Sequence, residues 1–237
     1  MIPPKVSIVV PVFNEEENVV VLQEEVARAM SGIPFELIFV DDGSTDNTAA
    51  RIRTEPHIRL LKFSKNSGQS AAMLAGIRAA NAPLVVLMDG DLQNDPADIP
   101  RLLEAIQNGA DLVCGYRRNR RDSLSKRITS RVANFIRSRF IGDGVRDTGC
   151  SLKAFRRECA EVLIPFNGMH RFIPALIKNA GYRITEISVN HRPRQHGKSK
   201  YGLSNRALRA TIDMLGVKWL QSRKISTTPP TEIGPRI

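Results

Sequence analysis

The sequence predicts an α/β fold, a doubly wound, mostly parallel sheet with helices flanking it. Short apolar, β-branched runs recur through the first 116 residues. Stretches with helical spacing separate them. Several of the runs stop abruptly at Asp, Asn or Arg. Strands alternating with helices of this length indicate parallel βαβ units, and unbroken apolar runs suit strands buried on both faces.

The elements follow in order. Val6-Ser-Ile-Val-Val-Pro-Val12 reads as the first buried strand. Asn14-Glu-Glu-Glu17 opens a helix to about Met30, with acidic residues placed to suit the positive end of its dipole. Phe35 to Val40 is the second strand and ends in Asp41-Asp-Gly-Ser-Thr-Asp46, a turn that can also cap the next helix. Ile58 to Phe63 is a third strand, Asn66-Ser-Gly-Gln69 a loop, and Ser70 to Ala80 an Ala-rich helix. Leu84-Val-Val-Leu-Met88 is a fourth strand, followed by Asp89-Gly-Asp-Leu-Gln-Asn-Asp-Pro96. Ile99 to Gln107 is helical, and Asp111 to Tyr116 is a fifth strand.

The second half is less regular. Leu124, Ile128, Val132, Phe135 or Ile136, and Phe140 recur at helical spacing, with Arg127, Arg131 and Arg137 between them. This pattern is an amphipathic helix with a basic face. Tyr182 to Val189 alternates as a strand does. Leu208, Ile212, Leu215 and Trp219 mark a last helix. Residues 221–237, with Thr-Thr-Pro-Pro and Gly-Pro, read as a disordered tail. No repeat or linker divides residues 1–220, which are expected to form one domain.

Composition narrows the function classes. The chain has 237 residues, 42% hydrophobic and 25% charged, as a globular protein does. No stretch approaches the roughly 20 apolar residues that span a bilayer, and the start lacks the apolar core of a signal peptide. Cys114, Cys150 and Cys159 have no metal-ligand spacing; three sparse cysteines suit a reducing, cytoplasmic setting. Charge is split. Residues 1–116 hold nine Lys/Arg against sixteen Asp/Glu, and residues 117–237 hold 26 against eight. The basic half either faces an anionic partner (nucleic acid, a membrane or a phosphorylated ligand) or is a solvated surface. Aromatic residues make up 5% of the chain, too few for a nucleic-acid stacking platform. No nucleic-acid partner is expected.

In parallel sheets of this kind ligands bind beyond the carboxyl ends of the strands. Asn14-Glu15, Asp41-Asp42, Asp89-Gly-Asp91 and Arg117-Arg118 fall there. Asp89 and Asp91, on a turn opened by Gly90, can reach one divalent cation, with Gln93 adding a neutral oxygen. Hard oxygen ligands suit Mg²⁺ or Mn²⁺, which retain waters and bind substrate phosphates. An Asp-rich helix cap is the structural alternative, and a plain N-cap is the alternative for Asp41 and Asp42. Arg117 and Arg131 suit a phosphate or surface ion pairs. Asp147 suits sugar hydroxyls or a turn cap.

Pro11-Val-Phe-Asn-Glu15, Asp41-Asp-Gly-Ser-Thr-Asp46, Asn66-Ser-Gly68, Met88-Asp-Gly-Asp-Leu-Gln-Asn-Asp-Pro96 and Arg194-Gln-His-Gly-Lys-Ser-Lys-Tyr201, in that order, resemble family 2 glycosyltransferases. More narrowly they resemble the dolichol-phosphate mannosyltransferase group, which includes bacterial enzymes that charge undecaprenyl phosphate with glucose, aminoarabinose or uronic acids. The resemblance covers about residues 5–220. It implies a GT-A fold, with a nucleotide-binding part over about 5–116 and an acceptor part over about 117–220. It also implies a nucleoside-diphosphate sugar donor, a polyprenyl phosphate acceptor and inversion at the anomeric carbon. Carried over by position, Pro11, Phe13, Glu15 and Asp42, with Asp41 beside them, line the nucleoside pocket. Asp89, Asp91 and Gln93 hold the metal. Arg117 and Arg131 grip the acceptor phosphate. Arg194 and Lys200, with Ser199 between them, close over the donor diphosphate.

A phosphate acceptor is already anionic and needs little help from a base, so no Ser-His or Cys-His arrangement is expected. The work falls to positioning and charge compensation. Residues 192–201 suit a lid. The basic segments near 124–140 and 206–224 suit peripheral contact with the anionic inner face of the membrane. The rival readings are a family 2 transferase with a soluble or polysaccharide acceptor, and a non-enzymatic basic binding protein.

Overall fold

The computed structural model describes residues 3–117, 137–193 and 204–223, with side chains from residue 210 onward in the last stretch. Seven strands build one sheet: β1 (Val6–Val12), β2 (Phe35–Asp41), β3 (Ile58–Lys62), β4 (Leu84–Leu87), β5 (Leu112–Arg117), β6 (Lys153–Arg156) and β7 (Ile184–Val189). Their order is β3-β2-β1-β4-β6-β5-β7. β1 pairs in parallel with β2 and β4, β2 with β3, and β5 with β7. β6 is the exception: it runs antiparallel to both β4 and β5. One reversed strand between them leaves β4 and β5 pointing the same way, so their carboxyl ends share a rim with those of β1 and β2.

The helices are α1 (Val19–Ala29), α2 (Thr48–Arg51), α3 (Gln69–Ala79), α4 (Ile99–Gln107), α5 (Ile173–Asn179) and α6 (Ser204–Ser222). Strand side chains alternate between two cores, as a period of two requires. Ile8 and Val10 meet Leu22 and Val26 of α1 and Leu102 and Ile106 of α4. Val9 and Val40 face the other way, onto Met73 and Ile77 of α3 and Ile173 and Ile177 of α5. The result is a three-layer sandwich. Gly76 lets α3 close on the sheet, because a Cβ there would lie 2.3 Å from Val9 Cγ1.

The spacing reads α4 to the residue, and the strands to within one or two. The first helix differs. It starts at Val19, and Asn14 to Asn18 form a turn before it. Asn14 sits at φ +52°, and the backbone N–H groups of Asn14 and Glu15 donate to Ser44 Oγ (2.9 Å) and Thr48 Oγ1 (2.8 Å). The backbone of the acidic run therefore serves the residues after β2, and no acidic residue falls in the first turn of the helix. β6 and α5 have no counterpart in the sequence reading.

The last helix exists, but it docks through Val217 and Met214, which pack with Ile141, Phe172 and Ala175. Three of the residues that mark it in the sequence are exposed: Ile212 at 59%, Leu215 at 55% and Trp219 at 61%. No helix among the described residues is long and apolar enough to cross a membrane. Most of the basic segment 124–140, and residues 224–237 of the expected tail, lie outside the described residues.

Candidate active site

The rim is built first by the loops after β1, β2 and β3. Asp41 is buried, and its Oδ1 accepts the Ser44 N–H at 2.9 Å. Its Oδ2 is buried with no hydrogen-bond partner among the described residues. Asp42 spends both oxygens on backbone, accepting from Ser67 N (2.7 Å) and Gly68 N (2.9 Å). Neither aspartate acts as a simple helix cap. Between them and that loop sits Gly43 at φ +74°, where a Cβ would lie 2.5 Å from the Lys65 carbonyl carbon. Only glycine satisfies both the left-handed backbone and the close approach. Asn14 Oδ1 accepts the Thr45 N–H at 2.8 Å, and Asn18 Nδ2 donates to Glu15 Oε2 at 2.6 Å. Pro11 and Phe13 are half-buried at the same end of β1.

Asp89 and Asp91 follow β4. The turn departs from the expected geometry, since Leu92 and not Gly90 carries the left-handed backbone, at φ +61°. Burial of the Leu92 side chain holds it there. Gly90 is needed for space: a Cβ would meet Val12 Cγ1 at 2.7 Å. Gln69, the first residue of α3, donates from Nε2 to Asp89 Oδ1 at 2.8 Å. Asn94 Oδ1 accepts from Asp89 N (3.0 Å) and from Ser151 Oγ (2.7 Å). Asp91 Oδ1 accepts the Gln93 N–H at 3.2 Å. Burial and the neighbouring Asp91 charge push the Asp89 carboxyl up to about 6, against the pull of Ser151, Lys153 and Arg117.

Two carboxylates that resist joint ionisation fit a divalent cation, which removes the conflict. No group of three or more His, Cys, Asp or Glu is arranged for a metal among the described residues. Asp89, Asp91 and the half-buried Gln93 would thus leave coordination positions for phosphate and water, the habit of Mg²⁺ and Mn²⁺.

Arg117 ends β5 and is clamped by Asp147. Its Nε and Nη2 donate to the carboxylate at 2.7 and 2.8 Å, and its backbone N–H adds a bond at 3.2 Å. The two residues assigned separate partners in the sequence are thus partners of each other. Two of five guanidinium N–H donors are used in this way. Arg146 is also engaged, by Glu186 at 2.9 Å and over the Tyr116 ring at 4.0 Å. Arg131, Arg194, Ser199 and Lys200 lie outside the described residues.

Several residues at this rim escaped the sequence reading. Arg192 Nη1 bonds Glu25 of α1 at 2.7 and 2.8 Å, and its Nη2 bonds Asp95 at 2.8 Å. Its backbone N–H donates to the Gln93 carbonyl at 3.0 Å, fastening the exit of β7 to the Asp89–Asp95 loop. Lys153 opens β6 and is buried. A Ser-His contact is present after all. Ser70 Oγ lies 2.7 Å from His170 Nδ1 and accepts the Gly168 N–H at 3.0 Å. Bonded in this way, Ser70 ties the start of α3 to residues 168–170. Cys114, Cys150 and Cys159 are free and buried, and burial pushes the Cys114 thiol up to about 12, which keeps it protonated and inert.

Residues 7–164 match the model of glycosyl transferase family 2. The chain is 43% identical over 231 residues to the dodecaprenyl-phosphate galacturonate synthase of Rhizobium johnstonii, a match that covers 93% of this chain and 68% of that one. It is 40% identical over 206 residues to the undecaprenyl-phosphate 4-deoxy-4-formamido-L-arabinose transferase of Yersinia enterocolitica, with 84% of this chain and 63% of that one covered. The chain therefore spans about two thirds of the length of these relatives. Among solved structures, glucosyl-3-phosphoglycerate synthase from Mycobacterium tuberculosis, in complex with Mn²⁺, UDP-glucose and glycerol 3-phosphate, superposes with a TM-score of 0.68. That likeness, at 18% identity over 92% of this chain and 80% of that one, is one of fold.

Proposed function

The chain belongs to glycosyltransferase family 2, and from that premise we propose that it moves a sugar, with inversion, from a nucleoside diphosphate to the phosphate of a polyprenyl lipid. The observation that carries the reading is the shared rim. A carboxylate pair suited to a divalent cation (Asp89 and Asp91) and an oriented guanidinium (Arg117) stand at the carboxyl ends of β4 and β5. Two relatives of about 40% identity are named for different sugars and for the same class of acceptor, which supports a polyprenyl phosphate here.

In this reading a lipid phosphate oxygen attacks the anomeric carbon while the bond from that carbon to the diphosphate breaks on the opposite side. The attacking oxygen is already anionic, so positioning replaces a strong general base. Mg²⁺ or Mn²⁺ at Asp89, Asp91 and Gln93 would neutralise charge on the departing diphosphate. The solved neighbour holding Mn²⁺ with a UDP-sugar supports that role.

Gln69 and Asn94 keep Asp89 in place. Pro11, Phe13, Glu15, Asp41 and Asp42 shape the nucleoside pocket. Asp42 does so through its grip on Ser67 and Gly68, and Asp41 brings a buried oxygen that has no hydrogen-bond partner among the described residues. Arg117, oriented by Asp147, meets the acceptor phosphate together with Arg131. Arg194, Ser199 and Lys200 close over the donor diphosphate.

The acceptor is a lipid, so the protein must meet a membrane. The face of α6 that exposes Ile212, Leu215 and Trp219, flanked by Lys218 and Arg223, suits the anionic inner leaflet, where each basic residue contributes about 1 kcal/mol.

The test is sugar transfer to undecaprenyl phosphate across a panel of UDP- and GDP-sugars, with Mg²⁺, Mn²⁺ or a chelator. A lipid-linked sugar formed from one donor, and lost with the chelator, is the expected result. A folded protein that glycosylates only soluble acceptors, or none, would overturn the reading.

A further inference from the structure

Lys153 opens β6, where it pairs with Leu87 of β4 and Cys114 of β5. Both neighbours belong to the apolar core on the α3 side of the sheet. Lys153 is nonetheless only 3% exposed. Burying an ammonium is costly unless its charge and donors are used, and packing alone would be served as well by Leu or Met. No carboxylate forms an ion pair with it among the described residues. Its described hydrogen bond runs from Nζ to the carbonyl of Cys150.

That carbonyl belongs to a turn. The Cys150 N–H donates to the Asp147 carbonyl at 3.2 Å, closing residues 147–150. Asp147 holds the Arg117 guanidinium by two bonds, at 2.7 and 2.8 Å. Gly149 lies against the same guanidinium, since a Cβ there would come within 3.0 Å of Nη2. The turn is therefore held at one end by Lys153 and holds Arg117 at the other, while both cations sit on adjacent strands of the same rim.

We propose that Lys153 is a positioning residue for the acceptor phosphate: by pinning the Cys150 carbonyl it fixes the Asp147–Cys150 turn, and with it the direction in which Arg117 presents its remaining N–H groups. The proposal rests on the reading of Arg117 as a ligand of that phosphate. It accounts for a buried cation that the packing does not require. It also gives the reversed strand β6 a task, since only a strand entering from this rim places its first residue under the turn.

The experiment compares Lys153→Met, Lys153→Gln and Lys153→Arg in the full chain, with two measurements. The first is KM for undecaprenyl phosphate and for the donor. Lys153→Met is expected to raise the lipid KM about tenfold to a hundredfold with the donor KM little changed. Lys153→Arg and, in part, Lys153→Gln are expected to recover it, because each retains a donor for the carbonyl. The second measurement needs no turnover. The Arg117 Nε–H resonance, protected by Asp147, is expected to exchange with water at least about tenfold faster in Lys153→Met and to stay protected in Lys153→Arg.

An unchanged lipid KM with a protected resonance in Lys153→Met overturns the proposal. So does a rise in both KM values with a fall in melting temperature that Lys153→Arg does not restore. If Lys153→Met does not fold, Lys153→Leu, which also lacks a donor for the carbonyl, is read in its place against the same outcomes. A wild-type protein that transfers no sugar to the lipid refutes the reading of Arg117, whereas the resonance still decides whether Lys153 holds it.

Discussion

Asp89 and Asp91 stand one residue apart on a turn that offers little water, and burial together with the Asp91 charge makes Asp89 harder to ionise. In the unfolded chain Asp89 releases its proton near the ordinary aspartate value of 3.8, whereas in the fold it holds it to about 6. The folded state binds the extra proton between those values. Without metal, stability therefore falls as pH rises through that window and levels off above it. Asp91→Asn removes the like charge and is expected to raise the melting temperature in chelator at pH 8 but not at pH 4; equal shifts at both would refute the coupling. A divalent cation held by this pair would compete with the same proton, so Mn²⁺ binding is expected to weaken below about pH 6. Asp89→Asn should cost about a hundredfold or more in transfer. The Arg117–Asp147 pair invites a second test. Breaking a buried pair by removing one partner costs about 3–5 kcal/mol, whereas replacing both by apolar residues costs less. Urea unfolding of Arg117→Met, Asp147→Leu and the double variant is expected to show that non-additivity, and simple addition would mean the pair is solvated. At this scale the sequence makes Asp89, Asp91 and Arg117 legible, because each sits just beyond an apolar run. Gln69 is not legible, because only folding brings it to Asp89, and Asn94 and Lys153 escape because no periodicity marks a bond made within a loop or turn.

Elements succeed or fail in the sequence according to how much of their burial is periodic. α4 shows apolar residues at Ile99, Leu102, Leu103 and Ile106, all buried, and its limits can be read directly. β6 is four residues, Lys-Ala-Phe-Arg, with a cation at each end. Its strand character comes from the neighbours on either side, so no local pattern announces it. α1 misleads for the opposite reason. Its Glu-rich approach looks like a helix start, but the amides of Asn14 to Glu16 are committed to the residues after β2. Close packing between elements is equally invisible beforehand. Gly76 on α3 leaves a Cβ only 2.3 Å from Val9, so Gly76→Ala must push the helix off the sheet, at a cost of about 1–3 kcal/mol. Because α3 also carries Gln69, the same variant is expected to weaken Mn²⁺ binding. Calorimetric titration that shows unchanged metal affinity in a destabilised protein would separate the helix position from the Asp89 carboxylate.

At the scale of the whole molecule, charge and apolar exposure are both uneven. The first 116 residues carry a net −7 and the remainder +18, and the largest exposed side chain, Trp219 at 61%, lies on the basic side. Val217 and Met214 seat α6 on the domain, which leaves Ile212, Leu215 and Trp219 directed outward on one face at a spacing of three and four. Solvent gains nothing from that face, whereas the interfacial zone of a bilayer accepts both the indole and the flanking Lys218 and Arg223. This arrangement predicts flotation with vesicles containing anionic phosphatidylglycerol, weakening as salt screens the charges and failing with neutral vesicles. Leu215→Glu and Trp219→Glu together are expected to abolish flotation and leave the melting temperature unchanged, since neither side chain supports the core. Transfer to a water-soluble, short-chain prenyl phosphate should survive that double change, while transfer to undecaprenyl phosphate in vesicles should fall with flotation. If both acceptors are affected equally, α6 serves the catalytic fold and some other surface meets the lipid.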